Sequence, residues 1–170
     1  SNVAQNDFAF GEYDHSGINE TVMTLKQGST NANAINGASD SMIAYCWHSV
    51  DGFSKFGSYT GNGSTDGPFI YTGFRPAWVM IKRTNTTGNW YNLDIKRDPI
   101  NPMFRRLYAN LTNTQGTSGT DMDFLSNGFK LIRTGNDMNT SGSTYVYMAF
   151  AEHPFIGSKT LKGFSPVTAR

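Results

Sequence analysis

Apolar side chains along this chain recur mainly at every second position, in short runs cut by glycine and asparagine. That period is the one a half-buried β-strand requires, and glycines this closely spaced leave no room for a helix of ordinary length. Three runs, at 42–47, 69–71 and 78–81, lie among Gly52, Gly57, Gly61, Gly63, Gly67 and Gly73. In the third, Trp78 and Met80 fall on one face and Val79 and Ile81 on the other, so a strand buried from both sides is expected. The stretch 41–48 reads as a central strand for the same reason, because Met42, Ile43, Tyr45 and Trp47 leave little for a wet face. Further strands are expected at 55–60, 68–72 and 90–95, the last forming a hairpin with 78–82 across the turn Asn85-Thr86-Thr87-Gly88. Asn127-Gly128, between apolar runs at 124–125 and 129–133, is a strong hairpin signal. Residues 144–152 carry the longest strand, while 104–111 is compatible with a strand or a short helix.

The first forty residues are less defined. Phe8, Phe10 and Tyr13, then Met23 and Leu25, allow one or two short strands, and the polar stretch 27–41 reads as loop or linker. The expected organisation is a segment over 1–40 and one β-domain over 41–170, with the tail extended. About nine strands at intervals of about 8 to 15 residues imply an all-β fold, an antiparallel β-sandwich of jelly-roll type.

Composition narrows the partners. In 170 residues, 14 basic and 13 acidic side chains give a formal charge of +1, so no net field draws in nucleic acid or an anionic membrane. No apolar run is long enough for a membrane span. The single cysteine, Cys46, excludes an internal disulfide and sits in an apolar run as a small buried thiol would. His15, His48 and His153 are scattered; with Cys46 beside His48, two ligands fall short of a zinc set, and His48 and His153 read as strand ends. The loop Asn62-Gly63-Ser64-Thr65-Asp66 has one carboxylate and reads as a turn rather than a calcium loop. Neither a metal nor a cofactor is expected. Asp94, Asp98, Asp121, Asp123 and Glu152 do not pair by spacing as a glycosidase would need, and Asp121 and Asp123 read as solvated loop residues. Catalysis is not expected.

Several segments carry a further signal: Tyr45-Cys46-Trp47, the glycine-rich stretch 52–63, Tyr71-Thr72-Gly73-Phe74-Arg75-Pro76, Ile81-Lys82-Arg83, Asn127-Gly128-Phe129-Lys130, Tyr147-Met148-Ala149-Phe150-Ala151-Glu152, and the closing Thr168-Ala169-Arg170. Over 42–170 they resemble the C-terminal domains of bacteriophage tail and receptor-binding proteins, marine ones above all. Similar tip modules occur in trimeric bacterial surface fibres, including adhesive fibres with which a predatory cell grips prey. The resemblance implies a homotrimeric, adhesin-like tip domain over 41–170, with 1–40 nearest the stalk. It would sit on a virion tail fibre or on an extracellular or periplasmic bacterial fibre, and bind a cell-surface glycan or protein receptor. The alternative is a structural virion module, a fibre cap or capsid decoration, with no ligand. No catalytic residue transfers.

Binding a sugar calls for an aromatic plate beside amide, carboxylate or guanidinium groups. Trp90, Tyr91 and Asn92, with Asn89, and Tyr108 with Arg105 and Asn110 offer those ingredients next to loops. The competing assignment makes Trp90 and Tyr108 core residues of their strands.

Overall fold

A computed structural model describes residues 47–135 and 137–154. Its elements are β1 (Ser54–Thr60), β2 (Phe69–Tyr71), β3 (Pro76–Arg83), β4 (Trp90–Asp94), β5 (Leu107–Tyr108), β6 (Met122–Leu125), β7 (Gly128–Leu131) and β8 (Thr144–Ala151). Among the described residues there is no helix. All strand pairs are antiparallel, in a five-stranded sheet ordered β1-β8-β3-β4-β5 and a three-stranded sheet ordered β2-β7-β6. The expected antiparallel β-sandwich is the observed fold class.

Strand alternation builds its core. Across the larger sheet the register sets Tyr147, Ile81, Tyr91 and Tyr108 in one row and Ala149, Val79 and Leu93 in the next. Phe124, Phe129, Leu131 and Ile70 of the smaller sheet belong to the same buried cluster. The sheets meet through Phe129, whose ring lies 5.4 Å from Tyr147 and 6.4 Å from Tyr59, edge-on to both. Each such pair adds about 1 kcal/mol beyond the area it buries.

The hairpins form as expected. β3 pairs with β4 from Trp78 opposite Asp94 to Lys82 opposite Trp90, and β6 pairs with β7 around Asn127-Gly128. β3 is central in its sheet, with Val79 and Ile81 fully buried; Trp78 and Met80, on its other face, are half-buried, and Trp78 packs 5.7 Å from Phe150.

Two expectations are narrowed. The strand expected over 41–48 lies outside the described residues up to 46, and Trp47 and His48 belong to no strand. The chain turns just after, where Val50 pairs with Ser54, and Ser49 Oγ accepts from the Phe56 amide at 3.0 Å. Trp47 is exposed rather than central. Within 104–111 only Leu107–Tyr108 is strand, since Arg106 has turned to pair with Gly116. The strands expected at 8–13 and 23–25, the segment 1–40 and the extended tail lie outside the described residues.

Candidate functional site

A recess of about 40 Å³ opens beside β4, lined by Tyr91, Arg106, Arg133, Gly135, Asp137 and Met138. It arises where β4 and β5 end the inner face of the larger sheet and the chain leaves β7 toward β8. Asn139, fully buried, ties the 133–139 loop in place. Its side-chain nitrogen donates to Arg133 O at 2.9 Å, Ser64 O at 2.7 Å and Asn62 Oδ1 at 3.1 Å, and its Oδ1 accepts from the Asn62 amide at 2.9 Å. The Tyr59 hydroxyl donates to Met138 O at 2.6 Å. The Asn62–Asp66 loop is the expected turn, with Asn62 Oδ1 accepting from the Ser64 amide.

Two arginines share one carboxylate behind the recess. Arg106 donates to Asp121 Oδ2 at 2.6 Å and Arg133 to Asp121 Oδ1 at 2.7 Å. Asp121 is fully buried, not the solvated loop residue expected, because it precedes β6 where its backbone is held by Met103 and Ile132. Burial pushes its carboxyl above the usual range, against the pull of the Arg133 and Arg106 guanidiniums. For Arg106, burial acts downward, but the bonds to Tyr108 and Asp121 more than offset it and the guanidinium is raised. Every Arg106 nitrogen is engaged, the others by Tyr108 Oη at 3.1 Å and by Ser118 O at 2.9 Å. Arg133 differs: its side chain is 38% exposed, so part of its fork can meet a ligand.

Tyr91 donates a hydrogen bond to Asp137 Oδ2, and both line the recess. Burial first, then that bond, raises the Tyr91 hydroxyl well above its ordinary value. Gly135 has a φ of 104°, and a Cβ there would meet nothing within 4 Å among the described residues, so they leave the rim open here. The arrangement offers guanidinium donors and a carboxylate acceptor to one recess. The volume takes one or two hydroxyl-sized groups, not a whole sugar ring.

The five residues chosen from the sequence are divided. Tyr91 and Tyr108 meet edge to face at 5.1 Å, and both serve the recess. Tyr91 is only 5% exposed, so it contributes its hydroxyl and not a stacking face. Trp90 and Asn92 lie on the other face of β4, half-buried, where Asn92 Oδ1 is buried without a hydrogen-bond partner among the described residues. Arg105 stacks on Phe104 at 5.0 Å and pairs with Asp98, away from the recess. Arg106, Arg133 and Asp137 were missed. Alternation along β4 separates Tyr91 from its neighbours, but no local pattern distinguishes Arg106 from Arg105.

A family model described as a domain of unknown function, DUF7483, matches residues 3–154. The chain belongs to this family. The DUF7483 match takes in all the recess residues and most of the segment before residue 40, and stops short of the tail. Neither the curated proteins nor the solved structures contain a match. Among the described residues no group of His, Cys, Asp and Glu could hold a metal ion, and no helix is long and apolar enough to cross a membrane.

Proposed function

We propose that this DUF7483 domain is the receptor-binding tip of a trimeric, phage-tail-like fibre, and that it recognises a cell-surface glycan without acting on it chemically. The observation that supports this is that one open recess is lined both by Arg133, whose side chain is 38% exposed, and by a carboxylate, Asp137. A sugar hydroxyl can donate to Asp137 while its neighbour accepts from Arg133, and the recess admits groups of that size. Three copies on one fibre turn a weak site into firm attachment.

The structural reading, a cap or decoration without ligand, draws on a different observation: most polar groups at the recess already have internal partners. Glycan-array and whole-cell binding by the full chain, with Arg133→Ala and Asp137→Asn alongside, separate the two. A tip binds and both variants weaken it. Absence of binding to any glycan or cell at high micromolar concentration overturns the reading, and a light-scattering mass equal to one chain overturns the trimer.

A further inference from the structure

The outer face of the smaller sheet carries two aromatic rings that the recess does not use. Phe69 and Tyr71 are 46% and 64% exposed and lie two residues apart on β2, an edge strand, so both project from one face about 7 Å apart. Both rings lie against glycines. Tyr71 is paired with Gly128, where a Cβ would strike the Ile70 carbonyl and come within 2.9 Å of the Phe69 ring. The Tyr71 ring passes 3.7 to 3.9 Å from where a Cβ of Gly73 would stand. Gly128 and Gly73 set no side chain against these rings, which stay largely exposed.

Polar groups flank them. Lys130 is paired with Phe69 on one side and Asp123 on the other, and its ammonium is bonded to Asp66, whose side chain is 85% exposed. One ammonium against two carboxylates leaves the patch slightly negative, which disfavours an acidic ligand. The two rings expose on the order of 200 Å², far below the roughly 800 Å² per partner of a stable protein interface. Flat apolar rings edged by hydrogen-bonding groups match the alternation of C–H faces and hydroxyls on a pyranose.

We propose that Phe69 and Tyr71 form a stacking platform for a neutral saccharide, with Lys130, Asp66 and Asp123 available to its hydroxyls. The inference shares the glycan reading above but not its site, so the two can fail separately. The test is binding of the full chain to an array of neutral and acidic glycans, followed by titration of the strongest neutral binder against Tyr71→Ala, Phe69→Ala, Tyr71→Phe and Arg133→Ala. The platform predicts that each alanine variant at 69 and 71 loses about tenfold or more in affinity, that Tyr71→Phe stays within about threefold, and that both alanine variants keep the wild-type melting temperature. If Tyr71→Ala and Phe69→Ala bind as wild type while Arg133→Ala does not, the platform is wrong and the recess stands. Wild-type binding to acidic glycans alone, or to none, overturns the platform, as does a change of oligomeric mass in Tyr71→Ala.

Discussion

The recess at Tyr91 and the platform at Phe69 and Tyr71 place polar and aromatic chemistry at the surface by opposite routes. In the recess the charges are drawn inward and tied to one another: Asp121 has no exposure, the Arg106 side chain has 6%, and the Tyr91 hydroxyl is committed to Asp137. On the platform the rings stand outside the core on glycines, and the nearest ion pair, Lys130 with Asp66, is open to water. A buried polar cluster must be complete to be tolerated, because each unpaired member costs several kcal/mol. An exposed ring demands nothing of its neighbours. Substitutions at the buried Asp121 and Arg106 therefore change folding and binding together, whereas those on the platform isolate binding.

The largest effect is expected at Asp121. Asp121→Ala leaves the nearly buried Arg106 guanidinium without its carboxylate and should cost about 3–5 kcal/mol in urea unfolding; a loss below about 1 kcal/mol would mean the cluster does not hold the fold. Asn139→Ala comes next, at about 3 kcal/mol, since it strands the Asn62 amide and two carbonyls inside the protein. A melting temperature within a few degrees of wild type would contradict that anchoring role.

Alkaline pH tests the buried tyrosines of the recess and the core. Burial first raises the hydroxyls of Tyr59, Tyr91 and Tyr147 above their ordinary value. The folded state therefore holds these protons more tightly than the unfolded chain. Their contribution is complete below about pH 10 and is lost as pH rises through the folded values, at up to about 1.4 kcal/mol per pH unit for each tyrosine. Stability measured from pH 9 to 11.5 should fall, and Tyr59→Phe should fall less steeply; equal slopes would remove Tyr59 from the account. The smallest change in stability belongs to the platform, where Tyr71→Ala should stay within about 0.5 kcal/mol of wild type. A larger loss would show that Tyr71 supports the sheet and would blur the contrast with the recess.

Much of the fold was legible in the chain. The alternation at 78–81 and 144–152 identified β3 and β8, and Asn127-Gly128 identified the β6–β7 hairpin. The site was legible only in part. Tyr91 and Tyr108 were found, but as stacking plates, when Tyr91 is buried and acts through its hydroxyl. Arg105 was preferred to Arg106, and Phe69 and Tyr71 were read only as part of the strand at 68–72, because a three-residue strand between glycine turns reads the same on its wet face as on its dry one.

What the sequence by itself determined is what a period of two can carry: the strands, the all-β class, and the separation of Val79 and Ile81 from Trp78 and Met80. That information is local, because successive side chains of a strand must point to opposite faces. Only the tertiary structure decided which strands share a sheet, that β2 would be an edge, and that Asp121 would be buried. These depend on partners far along the chain: Asp121 meets Arg106 and Arg133, 15 and 12 residues away, and β1 meets β8 from Ser54 opposite Phe150 to Thr60 opposite Thr144. A carboxylate goes into a core only when such partners converge on it, and that convergence is set by sheet order, not by its neighbours in the chain.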